Sequence, residues 1–313
     1  MTKELFIEKL DSVREQPNNS LNVIFLLNNG ELKRADIIES TKESLVSQYQ
    51  SSFNYLCTND ELSFLNLSSP DDRNNVLYLY DLPERPDLFS HLETLSSIQN
   101  IEGLEYFNFT QDSLADIEGY FVLFGTATNN VLFFRKQMSV NLFKRGKTYL
   151  KRLHDSQFTD VQDEFLRIDG KIDLFCVDSN VIIWNVKILE RHYEFRYIMQ
   201  NEATQTLEQI SGLEILENLD VLQERVSDVS FVRKLSKIAS NSPVFTLPAT
   251  SIIQFVRSHS VLSEYFRFNS GEDKIMLDTK KSQDWFLKLM NVDFLHSQVT
   301  DFHYQTPAKD KLS

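Results

Sequence analysis

The sequence predicts an α+β protein, with an acidic N-terminal α+β region followed by a mixed antiparallel-sheet and helix domain. Three observations predict it. Short apolar runs such as LNVIFLL, YFVLFG, NVLFF and NVIIW are bounded by turn residues, which is strand patterning. The turns between neighbouring runs are of hairpin length, so the strands pair antiparallel. Between and after the runs stand segments with apolar residues three and four apart, the spacing of amphipathic helices.

The elements follow in order. Thr2 to about Glu15 is a helix with Leu5, Phe6, Leu10 and Val13 on one face. LNVIFLLNNGELKRADI is a hairpin around Asn28-Asn29-Gly30, residues that tolerate positive φ. A helix over about 40–51, a strand at VLYLYDL and a helix after Pro86 complete the N-terminal region. YFVLFGTA and NVLFFRKQ form a second hairpin. Asp163 to Val186 reads as a three-stranded meander, with turns at Asp169-Gly170 and Asp178-Ser179-Asn180. ILERHYEFRYIMQNEATQTLEQI reads as one long helix, and FVRKLSKIAS and ATSIIQFVRSHS as further helices.

The chain has 313 residues, enough for one large or two moderate domains. Its net charge is -13 and is unevenly spread. Residues 1–130 hold 8 Lys/Arg against 21 Asp/Glu, and the remainder holds 24 of each. This shift sets an expected boundary between regions 1–112 and 113–313. Acidity overall argues against a general nucleic-acid binder. Yet Val131 to His154 carries Arg135, Lys136, Lys144, Arg145, Lys147, Lys151 and Arg152 and no carboxylate. Screening confines the distant acids to about 8 Å at physiological salt, so this stretch can attract phosphate.

Ser139 to His154 fits a helix on which Leu142, Phe143, Tyr149, Leu150 and Leu153 fall between roughly 140° and 260° from Lys144. The five cations from Lys144 to Arg152 fill the opposite arc. The readings are a DNA-binding set of all seven cations, a merely solvated face, or a mate for the acidic region or other protein acids, which would make the chain a non-catalytic protein-interaction module. Gly146-Lys147-Thr148 resembles the end of a P-loop, but Asn141 stands where its first Gly belongs, and NLFKR is too bulky to cradle phosphate.

RIDGKIDLFCVDSNVIIWNVKILER, Arg167 to Arg191, holds an Asp on one apolar run and Asn-Val-Lys on the next. If Val177 faces Val181 across a three-residue turn, Asp173 faces Asn185 and Lys187 extends the same strand. That layout matches a restriction-like nuclease with Asp173, Asn185 and Lys187 as the catalytic set around Mg²⁺. Asn185 stands where the second metal-binding acid belongs, so the site lacks a charge that a hard cation needs. The other reading is a packed hairpin with one hydrogen-bonded Asp.

Other chemistries are excluded sooner. The six His show no HxH or HExxH spacing, and neither GxGxxG nor GxSxG occurs. No cofactor is expected beyond Mg²⁺ under the nuclease reading. Cys57 and Cys176 lie in apolar surroundings as core thiols. No apolar run reaches bilayer length, so the expected location is the cytoplasm.

VLFFRKQMSVNLFKRGKTYLKRL, the Arg167 to Met199 stretch and FVRKLSKI together resemble a bacterial family, the KwaB-like proteins of the two-gene Kiwa anti-phage system. The shared run is an aromatic strand ending in Arg135 and Lys136, a strand with Asp173, an Ile-rich strand ending in Asn185, and a helix opened by Leu189-Glu190. It covers about residues 115–240. The resemblance implies a DNA-binding effector held at the inner-membrane face by a transmembrane Kiwa partner. It carries over no catalytic residues. The acidic N-terminal region would then dock the partner or mask the protein from self-DNA. A homodimer is the expectation from the commonness of two-fold oligomers.

Overall fold

The computed structural model describes residues 1–69, 75–95, 101–138, 150–152, 157–160, 165–238, 242–296 and 303–305. The α+β class is as expected. The chain divides into two compact units. The first comprises Met1–Phe64, Leu77–Leu79 and Asp87–Ile188; the second comprises Leu65–Val76, Tyr80–Pro86 and Leu189–Ser313.

The first unit holds most of a long sheet. The strands over residues 1–188 are β1 (Ser20–Leu27), β2 (Leu32–Arg34), β3 (Ser63–Asn66), β4 (Val76–Leu79), β5 (Ile117–Gly125), β6 (Asn130–Lys136), β7 (Leu150–Arg152), β8 (Phe158–Asp160), β9 (Leu174–Val177) and β10 (Asn180–Ile183). The eight-stranded order is β2-β1-β5-β6-β9-β10-β4-β3, with β7 and β8 paired separately. Eight residues of β1 pair antiparallel with β5, from Ser20 opposite Gly125 to Leu27 opposite Ile117. The charge shift near residue 112 is therefore a change of surface, not a break between folding units.

β1, β5 and β6 are near-continuous apolar runs because both of their faces are buried. One face meets α1 (Lys3–Arg14) and α2 (Glu39–Thr58). Phe6, Leu10 and Val13 of α1 and Tyr49, Phe53 and Leu56 of α2 join Phe124, Phe133 and Phe175 in one core. Phe53 meets Phe124 and Phe133 edge-on at 5.3 and 5.8 Å, the arrangement ring quadrupoles favour. On the other face, His91 of α3 (Leu88–Leu95) meets the Phe121 ring at 6.2 Å. Thr2 caps α1 by accepting from the Leu5 N–H. Gly30, at φ 84°, turns β1 into β2 as expected.

Two expectations need correction here. Residues 165–168 form no strand beside β9; the neighbour of β9 is β6, in the register Phe133 opposite Phe175. The expected helix over Ser139 to His154 is replaced at Leu150–Arg152 by β7, paired with β8. Helical spacing in such a short stretch does not outweigh a strand partner once one is available. The remainder, 139–149 and 153–154, lies outside the described residues, as does the Gly146-Lys147-Thr148 sequence.

In the second unit, the expected long helix is broken. α4 (Val186–His192) ends before Glu194, which sits at φ 51° in the left-handed region, and α5 (Phe195–Gly212) begins after it. The second unit begins within α4, at Leu189. α5 buries Ile198, Met199, Ala203, Leu207 and Ile210, and it packs on α6 (Val229–Ser236). α7 (Ala249–Ser258) and α8 (Lys280–Met290) follow, the latter opened by a Thr279/Ser282 capping box. No described helix is long and apolar enough to cross a membrane.

Candidate functional site

The site forms where β6, β9 and β10 end together. Continuing the β6–β9 register by one residue sets Arg135 opposite Asp173, and the Asp173 N–H donates to the Phe134 carbonyl at 2.9 Å. Period-two alternation turns both side chains to the face of Phe133 and Phe175, which is the buried core. A cation facing a core must be paired, and Arg135 is paired twice. Its Nη1 donates to Asp173 Oδ1 at 2.8 Å, while Nε and Nη2 grip Asp169 Oδ1 and Oδ2 at 3.2 and 2.9 Å. The side chains of Arg135, Asp169 and Asp173 are 9%, 8% and 1% exposed.

The remaining acceptors are also satisfied. Asp173 Oδ2 takes the Lys136 N–H at 2.8 Å, and Oδ1 takes the Asn185 amide at 3.0 Å. Asp169 Oδ1 also accepts from the Lys171 N–H at 3.2 Å, which makes the Asp169-Gly170 turn, with Gly170 at φ 62°. Burial pushes the Asp173 carboxyl above its usual range, although the Lys136 N–H, Arg135 and Asn185 pull the other way. Burial acts against the Arg135 charge too, but the two carboxylates more than offset it and raise its pKa. Burial likewise pushes up the neighbouring Tyr49 and Tyr120 phenols.

Asp173 and Asn185 thus meet as expected, but through a different turn. Val177 faces Asn180, so the turn has two residues, Asp178 and Ser179, with φ of 47° and 64°. Left-handed geometry at both central residues is the type I′ hairpin, whose twist suits the strands. The one-residue slip would set Asp173 opposite Trp184. The pairing frays there, and the Asp173 carbonyl accepts from both the Trp184 and Asn185 N–H groups at 2.9 Å. Lys187 does not join them. The backbone turns helical at Val186, so strand alternation stops at Asn185 and Lys187 is exposed on the first turn of α4.

This geometry differs from the expected nuclease layout in the place of Lys187 and in the Arg135 guanidinium. Three donors face Asp173 where a metal cage needs acceptors, and the guanidinium stands between the two carboxylates. Among the described residues, no group of three His, Cys, Asp or Glu is arranged to hold a metal. What the arrangement does chemically is tie three strand ends to the Asp169 turn through one buried ion cluster.

Of the expected DNA-binding cations, Arg135 is buried in the cluster and paired with both carboxylates. Lys136 pairs with Glu118 at 3.3 Å. Lys144, Arg145 and Lys147 lie outside the described residues, and Lys151 and Arg152 stand on β7. Sequence reasoning missed Arg135 as the mate of Asp173, although its place two residues after Phe133 was the available signal. It also missed a cleft of about 340 Å³ beside the cluster, lined by Ser52, Arg135, Lys171, Ile172, Asp173, Trp184 and Asn185. Cys57 and Cys176 are unbridged and half-buried.

The region holding this cluster is also the region that known proteins share. The family described as Kiwa protein KwaB-like matches residues 114–300, and the chain belongs to that family. It is 27% identical over 316 residues to Kiwa protein KwaB of Escherichia coli O55:H7 (strain RM12579 / EPEC), across 100% of this chain and 99% of that protein. No solved structure matches it.

Proposed function

We propose that the protein is an anti-phage defence component that binds DNA without strong sequence preference and without cutting it. Family membership over residues 114–300 is the observation that carries the defence reading. The seven cations without a carboxylate in Val131 to His154 support DNA binding. With Arg135 and Lys136 engaged by acids, the five from Lys144 to Arg152 make the phosphate contacts. The non-catalytic reading draws support from the Arg135 guanidinium, which holds both candidate metal-binding carboxylates. Attachment to the inner-membrane face of the cytoplasm comes through a transmembrane Kiwa partner, and the active form is a homodimer. Family resemblance supports the former and the commonness of two-fold symmetry the latter.

The test is a duplex-DNA titration at several salt concentrations with Mg²⁺ present, the products being run on a gel. The wild type binds intact DNA with a log–log salt slope near roughly -4.5 if all five cations engage. Lys144→Glu/Lys147→Glu/Lys151→Glu abolishes that binding. Absence of binding at low salt refutes the reading. Mg²⁺-dependent cleavage lost on Asp173→Ala replaces it with the nuclease alternative.

A further inference from the structure

We infer that the cleft beside the ion cluster takes, at Lys171, the phosphate of one unpaired nucleotide of a DNA strand, while its base stacks on the exposed Tyr55 ring that packs on the cleft's Trp184 wall. This deepens, and rests on, the DNA-binding reading.

Three observations carry it. Phe175, Trp184 and Tyr55 form a stacked series from core to surface. Phe175 and Trp184 lie 6.3 Å apart with planes 20° apart, and Trp184 and Tyr55 lie 6.2 Å apart at 12°. Phe175 is fully buried, Trp184 half-buried, and Tyr55 52% exposed. Centroids this far apart in near-parallel rings mean offset stacking, so each ring leaves part of its face open to the next. A base extends such a series without regard to sequence, because every base has a π face.

The second observation is the polar lining. The same Trp184 walls a cleft whose other side chains include Lys171, Asn185 and Ser52. Asn185 spends an amide hydrogen on Asp173, and its carbonyl oxygen has no partner among the described residues. Lys171 is exposed, and among the described residues no carboxylate pairs with it. The cleft thus offers a ring wall, an acceptor for a base edge and a cation for phosphate. Its floor is the ion cluster, in which the Arg135 guanidinium offsets one of the two carboxylate charges.

The third observation is size. About 340 Å³ lies at the small end of ligand sites. It fits one nucleotide and is too small for a stacked pair, so a duplex must first yield an unpaired base.

The test uses the full-length chain with Trp285→Phe, which leaves Trp184 as the sole indole because the protein has two Trp. Probes are an end-labelled oligothymidylate of about 20 nucleotides, a hairpin duplex of equal charge, and dTMP. The oligothymidylate quenches Trp184 emission. Tyr55→Ala weakens single-strand binding about ten-fold more than duplex binding, and Tyr55→Phe restores it. Lys171→Ala lowers the single-strand salt slope by about 0.7. If the label reports strand binding while Trp184 emission stays constant and Tyr55→Ala binds as wild type, this inference falls and the DNA-binding reading stands. Quenching by dTMP at the same affinity assigns the cleft to free nucleotides and overturns the strand assignment. If neither oligonucleotide binds at low salt, both readings fall.

Discussion

Replacing Arg135 with Ala leaves Asp169 and Asp173 facing one another without their shared cation. The structure sets the size of the penalty. Three charge-assisted hydrogen bonds disappear, each worth about 1.5–3 kcal/mol. Their plain sum, about 4.5–9 kcal/mol, overstates the loss, because Asp173 keeps the Lys136 N–H and the Asn185 amide and Asp169 keeps the Lys171 N–H. Removing one partner of a buried pair typically costs about 3–5 kcal/mol, and the expected loss here is about 4 kcal/mol.

The penalty also depends on pH. Asp173 already lies above the ordinary carboxyl range in the folded state, and loss of Arg135 raises it further. An acid whose folded pKa exceeds its unfolded value carries more protons when folded, so stability falls as pH rises through that window. The deficit of Arg135→Ala is therefore largest at pH 7 and shrinks towards pH 5. Urea denaturation at both pH values, followed by tryptophan emission, measures it. A deficit below about 1 kcal/mol at pH 7, or one that does not shrink on acidification, refutes the claim that this cluster braces β6 against β9. Adding Asp169→Asn to the Arg135→Ala chain removes one of the two opposed carboxylates and recovers part of the loss in the same assay.

Three further outcomes follow from the geometry. A Cβ at Gly119 would lie 2.4 and 2.6 Å from Phe134 ring atoms and 2.9 Å from the Arg135 carbonyl, so Gly119→Ala costs about 1–3 kcal/mol by overpacking, read as a lower urea midpoint. Ser179 holds φ 64° in the type I′ turn, so Ser179→Gly relieves the left-handed strain and raises stability by about 1 kcal/mol. A lower midpoint for that variant would count against the two-residue turn. Burial first, then Asp11, pushes the Cys57 thiol up to about 12. At pH 8 its thiolate fraction is then about 10⁻⁴, and Cys57 reacts with a disulfide reagent orders of magnitude more slowly in folded than in urea-unfolded protein.

Much of the first unit was legible because its signals are local. The apolar face of α1, Gly30 turning β1 into β2, and the hairpin of YFVLFGTA with NVLFFRKQ each depend on residues close in the chain. The pairing of Asp173 with Asn185 was legible too, for their approach follows from hairpin proximity. The number of turn residues was not, since Asp178-Ser179 and Asp178-Ser179-Asn180 both carry turn-forming side chains. Only pairing energy over the whole hairpin chooses between them. The break at Glu194 was hidden for a related reason. Nothing in YEFRY marks a left-handed residue, and its cost is met by packing on both sides.

Residue order alone predicts the α+β class, the apolar runs that become the central strands, the apolar face of α1, and the concentration of cations after residue 130. These depend on periodicity and composition, which near neighbours in the chain decide. Tertiary structure alone decided that β6 rather than residues 165–168 flanks β9. That pairing joins residues some 40 positions apart (Phe133 to Phe175), and no local signal encodes it. With it came the fate of Arg135, which the composition groups with solvent-facing cations and the register instead buries between two carboxylates. A charge's role depends on what lies across the sheet from it, and that is settled only when distant strands meet.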